Sequence, residues 1–372
     1  MSTKDLYDFL VIGAGPAGVT AIAHLLDSGV SSIAWIDPHF LAGCLGGKYT
    51  QVPSNTKVKI FIDYVAQSPT LVKLIENAKK PNPFTILKAK TLDCGTSLNY
   101  VSDLFIFFTQ ELFFCHPEAI CKFKGLVNSL HFSNENHWSA ELRIEGLKDT
   151  RAVITKKVIL ATGSQPVRPA NPIFPHIDLD IALSPTDLQK TLEVINLKEE
   201  KIAVIGSSHS AILVLKNLTD LSSELQIIHF YRSELRFAQY MEGWILYDNT
   251  GLKGVAADWA RKVYPNLPSI RKIKLPNNLN EENRLYQREL QTCARVIYAI
   301  GFCPVELPKV WVDGAKKQVT FDHTTGNFNV PGMFGCGIAF PERVIDQAGN
   351  VEFAVGIYKF MKFLKRVGHY WI

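Results

Sequence analysis

Residues 9–12 form an unbroken apolar run that passes directly into Gly13-Ala14-Gly15-Pro16-Ala17-Gly18. A short apolar run without polar alternation predicts a strand buried on both faces, as in a parallel sheet. Val19, Ile22, Ala23 and Leu26 then fall at helical spacing, and Gly29 closes the predicted helix before a second strand, "SSIAWID", ending at Asp37. The same order returns over residues 201–233. Residues 203–205 predict a strand, Gly206, Ser208 and Ala211 keep the glycine spacing, residues 212–218 begin a helix, and the next strand ends at "FYRS".

Between these units, a strand at 158–160 runs into Ala161-Thr162-Gly163 and a proline-punctuated linker over 166–175. "CARVIYAIGFCPVELP" has the same form around Ala299-Ile300-Gly301. The chain is therefore read as leaving a first unit, building a second and coming back. This predicts an α/β protein: a Rossmann-like domain over 1–168 and 301–372, with a smaller Rossmann-like domain, 169–300, inserted. The return segment carries a glycine-rich turn and strand with Gly335 and Gly337. "NVEFAVGIYKFMKFLKRV" follows and reads as one amphipathic helix with Phe353, Ile357, Phe360 and Met361 on its apolar side.

Glycines at this spacing allow a tight turn and a close backbone approach, so that a pyrophosphate can sit on a helix N-terminus. Asp37, 24 residues beyond Gly13, is placed to accept hydrogen bonds from a ribose. The second fingerprint is degraded. Ser208 lacks glycine's freedom at positive φ, so this turn is expected to differ in shape. Its second strand ends without an acid, and Arg232 and Ser233 suit a 2′-phosphate, which favours NADPH over NADH.

Composition narrows the class. The chain has 372 residues, 47% hydrophobic and 20% charged, which suits two or three globular domains with full cores. The net charge of +5 is spread along the sequence without a basic stripe, which argues against a nucleic-acid partner. Runs such as "LFIFF" and "AILVL" are far shorter than the roughly 20 residues a membrane span needs, so no integral membrane segment is expected. Few residues precede the first strand, leaving no room for a secretory leader, and a cytoplasmic location is expected. Seven cysteines, at 44, 94, 115, 121, 293, 303 and 336, include no C-x-x-C pair and no metal-ligand spacing.

"VIGAGPAG", "VILATGSQP", "VIGSSHSA", "VIYAIGF" and "PGMFGCG", in this order, resemble the flavoproteins with two dinucleotide-binding domains. That group holds thioredoxin and glutathione reductases and the flavin-containing monooxygenases. The resemblance implies FAD in the first domain and NAD(P)H in the inserted one. It assigns Gly13, Gly15, Pro16, Ala17, Gly18, Asp37, Ala161, Thr162, Gly163, Gly335 and Gly337 to FAD. Gly46 and Gly47 would lie near the flavin, and the backbone at Val127 near the adenine. Gly206, Ser208, Ser210, Arg232 and Ser233 would hold NADPH, with NADH as the alternative.

The reductase branch passes electrons through a C-x-x-C or C-x4-C pair beside the flavin, and this chain has neither. Tyr49, Asn55, Thr56, Lys57, Phe61 and Asp63 resemble instead the pattern that flavin-containing monooxygenases carry after their glycine pair. There the asparagine sits over the flavin, which transfers to Asn55. A neutral amide can both donate to and accept from a flavin hydroperoxide. The alternative for Asn55 is capping of a helix that begins near Lys57. Lys48 and Gln51 are further catalytic candidates, as contacts to substrate or nicotinamide.

The expected activity is thus an NAD(P)H-consuming, FAD-dependent monooxygenase acting with O2 on a small molecule. Two readings stand beside it: a reductase or oxidase passing electrons to a quinone, a protein or O2, and a flavoprotein scaffold that has lost nicotinamide binding. The family's Phe-x-Gly-x-x-x-His signature is missing, and His176 and His209 are read as loop or turn residues. Gly337-Ile338 replaces the reductases' Gly-Asp. Residues 81–120 and 236–290 are read as loops that assemble the substrate pocket. Phe84, Phe105, Phe107, Phe108, Phe113 and Phe114 in the first are read as core or as the face of a homodimer.

Overall fold

β1 (Tyr7–Ile12) lies between β2 (Ile33–Asp37) and β5 (Thr150–Leu160) and is parallel to both. The computed structural model describes residues 6–133, 135–144, 150–170, 174–194 and 200–372. Part of the expected proline linker, 171–173, lies outside the described residues. The first sheet runs β3 (Ile120–Phe132), β2, β1, β5, then the strand Met333–Gly335, all parallel. Past Lys124, β3 continues as an antiparallel partner of β4 (Trp138–Ile144), which closes back on β5. α1 (Pro16–Asp27) covers one face with Val19, Ile22, Ala23 and Leu25 buried, and Pro16 stands in its first turn, where a missing N–H costs nothing.

The second sheet has five parallel strands: Ile270–Lys274, β9 (Gln226–Tyr231), β8 (Lys201–Ile205), Cys293–Tyr298 and β7 (His176–Ile177). The helix His209–Leu221 buries Ala211, Ile212, Val214, Leu215 and Leu218 against it. Both sheets are of the Rossmann-like α/β kind. The two segments that link the units run side by side, because β6 (Ser164–Pro166) pairs antiparallel with Phe302–Pro304.

Two expectations are corrected. The stretches read as loops contain the helices Leu98–Cys115, Gly254–Lys262 and Leu279–Leu290. In the first, Phe105 and Phe108 are fully buried and Phe84, Phe107 and Phe113 pack on the same core, so the aromatic run is core; Phe114 alone of the six projects, at 80% exposure. The C-terminal segment is not one helix. Val351–Ala354 pairs antiparallel with Glu342–Ile345, and the helix is Ile357–Val367. Gly356, at φ +142°, separates the two, and the alternation of buried Glu352 and Ala354 with exposed Phe353 has the period of a strand. Among the described residues no helix is long and apolar enough to cross a membrane, and no group of three His, Cys, Asp or Glu could hold a metal ion.

Candidate active site

The first glycine turn is sterically exacting. Gly13 has φ +108°, and a Cβ there would stand 2.4 Å from the Ala161 carbonyl oxygen. A Cβ at Gly18 would stand 1.9 Å from the Gly13 oxygen, which holds helix and strand in close approach. Gly43 lies across from Gly15, and a Cβ at Gly337 would meet that of Ala17 at 2.5 Å. Small residues from four segments therefore surround the N-terminus of α1, where Pro16 and Ala17 stand. Thr162 adds a buried hydroxyl with no hydrogen-bond partner among the described residues, and Gly163 turns away at φ +75° with open space beside it. Gly335 packs on the Phe340 ring, Gly46 on the Leu41 carbonyl, Gly47 is open, and Val127 pairs with Leu142 of β4.

Asp37 is committed inside the protein. Its carboxylate accepts from the backbone N–H of Ala14 at 2.7 Å, His39 at 2.8 Å and Phe40 at 2.7 Å. It organises the turn and the loop that follows β2.

The second turn repeats the first. Gly206 has φ +130°, and a Cβ there would stand 2.1 Å from the Ala299 oxygen. Ser208 caps its helix at φ −95°, ψ −173°, close to the −74°, −176° of Gly15. The expected difference in shape is absent, because neither position needs positive φ. Beside this turn opens a cavity of about 920 Å³ lined by Gly206, Ser208, Arg232, Glu282, Tyr286 and Gly301. Arg232 donates to both oxygens of buried Glu282, at 2.9 and 3.0 Å. Burial and the Glu282 carboxylate raise the Tyr286 phenol. Ser210 is the second residue of the helix, and Ser233 is exposed beside Arg232.

A second cavity, of about 860 Å³, opens between the units and is lined by Asn55, Ser208, His209, Tyr240, Lys253 and Gly356, among others. Asn55 is exposed, and its Oδ1 accepts from Thr56 Oγ1 at 3.2 Å. The helix Val58–Val65 is capped at Lys57 without a side-chain bond, so Asn55 is not its cap. The inserted unit presses close here: a Cβ at Gly254 would lie 3.7 Å from the Asn55 Cα. The helix Ile357–Val367 starts at the same cavity and turns its free N–H groups that way.

His209 is the first residue of its helix rather than a turn residue. Its Nδ1 is buried without a partner among the described residues, and burial, with Lys253 nearby, pulls its pKa down to about 4. His176 stands in β7 at the edge of the second sheet, away from this cavity. The sequence patterns did not single out Lys253 and Lys359, which both pair with Asp248 on the cavity wall. Lys359 comes from the last helix and Asp248 from the inserted unit, so nothing local marks that pair, whereas Lys253 lies only 5 positions from Asp248.

Lys48 and Gln51 face another way. Lys48 Nζ and Tyr49 Oη each donate to Asp180 at 2.6 Å, and Gln51 Oε1 accepts from Thr186 Oγ1 at 3.0 Å. Tyr49 and Val52 also pack on the core of the inserted unit. The polar ribbon after Gly47 thus ties the two units together, and only from Asn55 onward does it line the cavity. Burial, then Asp180, raises the Tyr49 phenol, keeping it protonated as a donor.

The pyridine nucleotide-disulphide oxidoreductase family matches residues 7–338. The chain belongs to this family. It is an oxidoreductase. Monooxygenase AgnR1 of Paecilomyces divaricatus is 38% identical to it over 397 aligned positions, covering 100% of both chains. Among solved structures, a flavin-containing monooxygenase from Stenotrophomonas maltophilia is similar with a TM-score of 0.59 at 13% identity, over 99% of each chain. The bacillithiol disulfide reductase Bdr of Staphylococcus aureus is similar with a TM-score of 0.56 at 11% identity, over 99% of this chain and 98% of its own. At these identities the two structures speak for the fold alone. In this family member all seven cysteines are free, and none lines the cavity between the units.

Proposed function

We propose that this chain is an FAD-dependent monooxygenase that consumes NADPH and O2 to oxygenate a small molecule. FAD would be held by residues 1–168 and 301–372, and the nicotinamide nucleotide by residues 169–300. The observation that carries the reading is the cavity between the units, bounded by Asn55, by the second glycine turn and by the start of the last helix, with no thiol on its wall. The full-length likeness to a monooxygenase supports the same choice.

The residues fit the cofactor. The glycines around α1 permit the tight turn and close packing that put a helix N-terminus at the end of β1, the arrangement that suits a pyrophosphate, and the orphaned Thr162 hydroxyl offers a donor and an acceptor nearby. FAD, when bound, supplies hydride acceptance and oxygen activation. The chain's own part is to orient and to exclude water. Asn55 presents an uncharged donor and acceptor, the free N–H groups at Gly356 to Lys359 favour negative charge, and the Lys48, Tyr49 and Gln51 contacts hold the two cofactor units at a fixed separation.

Arg232 supports NADPH, since a guanidinium is suited to a 2′-phosphate. Glu282 favours NADH as a second reading, because its carboxylate already occupies that guanidinium and repels a phosphate.

The test is anaerobic reduction of the purified protein by NADPH or NADH, then rapid mixing with O2 while the flavin spectrum is followed. A transient distinct from oxidised and reduced flavin, together with incorporation of oxygen from O2 into product, supports the proposal. Direct reoxidation with stoichiometric hydrogen peroxide under all substrates tried would identify an oxidase instead.

A further inference from the structure

Each glycine turn is held from behind by a ring nitrogen. Trp35 Nε1 donates to the Gly13 carbonyl at 2.9 Å, and His229 Nε2 lies 2.6 Å from the Gly206 carbonyl. The two rings occupy the same place in their sheets. Trp35 pairs with Val11 of β1, and His229 with Val204 of β8, the next-to-last residue of each first strand. The residue after each ring, Ile36 or Phe230, accepts the N–H of the same glycine at 2.8 or 2.9 Å. Both rings are fully buried. Each glycine is thus clamped at its N–H and its C=O by one neighbouring strand.

The second clamp has a further part. A carbonyl can only accept, so His229 Nε2 carries the proton, and Nδ1 accepts from Tyr264 Oη at 2.6 Å. Tyr264 therefore fixes the tautomer that Gly206 requires. Burial favours the neutral ring, with its pKa lowered to about 4.

A trans peptide is planar, with its C=O and N–H on opposite sides. Holding the Gly206 oxygen against His229 turns the Ser207 N–H the other way, and Ser207 lines the 920 Å³ cavity. In the first turn the corresponding N–H, of Ala14, is taken by Asp37. In the second, Tyr231 stands where Asp37 does, so no carboxylate at that position claims the Ser207 N–H.

We propose that His229, fixed by Tyr264, is a positioning residue for the nicotinamide nucleotide: it holds the Gly206 carbonyl so that the Ser207 N–H meets an oxygen of the bound nucleotide. This rests on the reading of the 920 Å³ cavity as the nucleotide site.

The experiment measures NADPH and NADH affinity, kcat at saturating nucleotide and FAD content of the holoenzyme and its variants. His229→Leu removes the donor, His229→Gln keeps one near the place of Nε2, and Tyr264→Phe removes only the hydroxyl that sets the tautomer. H229L is expected to weaken nucleotide binding about tenfold, with kcat and FAD content close to wild type. H229Q recovers most of the loss, and Y264F loses about threefold. Unchanged affinity in H229L, or an equal loss in H229Q, overturns the inference alone. If H229L does not fold, wild-type affinity in Y264F overturns it. Failure of the wild-type holoenzyme to bind either nucleotide overturns the functional reading and this inference together.

Discussion

Arg232 donates through one guanidinium nitrogen to both carboxylate oxygens of Glu282, at 2.9 and 3.0 Å. Arg232 is more than half exposed while Glu282 is nearly buried, so the arginine is the mobile partner. A 2′-phosphate arriving here competes with Glu282 for the guanidinium. Glu282→Gln removes the competing charge and is expected to lower the KM for NADPH relative to NADH by about three- to tenfold. Arg232→Ala is expected to move the ratio the other way by about tenfold. Steady-state KM values for both nucleotides check this, and a ratio insensitive to both substitutions would assign the pair a structural role.

The two turns were legible because each is local. Apolar runs, glycine spacing and helical periodicity sit within some thirty residues, and the steric demand on Gly13 and Gly206 is met by the strand end it predicts, at Ala161 and Ala299. What the sequence concealed is long-range. Asp180 meets Lys48 and Tyr49 from 132 and 131 positions away, so the polar ribbon looked catalytic when its first half is a tether. Glu282 lies 50 positions from Arg232, so an arginine read as free for phosphate proves to be paired. The C-terminal segment misled for another reason. Phe353 fits a helical period with Ile357 and Phe360, and Gly356 is the one local sign that the helix starts later.

Tyr49 and Lys48 share Asp180, yet they should contribute unequally. The Tyr49 ring packs against Phe302 and its phenol is shielded, whereas the Lys48 side chain is 47% exposed. Tyr49→Phe is expected to destabilise the protein by about 1–2 kcal/mol, since it strips a half-buried carboxylate of a donor. Lys48→Met should cost less than about 1 kcal/mol, as exposed ion pairs do, and change kcat less than about threefold. Urea unfolding and steady-state turnover of both variants decide the ordering. A large fall in kcat for K48M would return Lys48 to the reacting groups.

Among the described residues Asn55 bonds only to its neighbour Thr56, and it stands on the cavity wall with Gly254 pressed close. Removing its amide should leave folding and reduction by NADPH largely intact. Asn55→Ala is expected to lower the share of NADPH electrons recovered as oxygenated product by about tenfold or more, with hydrogen peroxide rising to match. Parallel assays of NADPH consumption, peroxide and product measure the split. Equal losses in all three would mean that Asn55 acts before oxygen does, in nucleotide docking or in reduction.

His209 and His229 both titrate at about 4, lowered from 6.5 chiefly by burial, with Lys253 adding to the effect at His209 and Lys272 at His229. The Gly206 carbonyl opposes the shift at His229 without cancelling it. In the unfolded chain each ring binds its proton near pH 6.5, so below that pH the unfolded state holds more protons than the folded one. The stability associated with the neutral rings is complete above pH 6.5 and is lost as the pH falls through about 4. Each ring accounts for on the order of 3 kcal/mol across that window. The urea midpoint should therefore fall steeply as the pH is lowered from about 7 to about 5. His209→Gln should flatten the slope by roughly half of the two-histidine effect, because one titrating ring remains. A slope unchanged in H209Q would show that His209 titrates alike in the folded and unfolded chain.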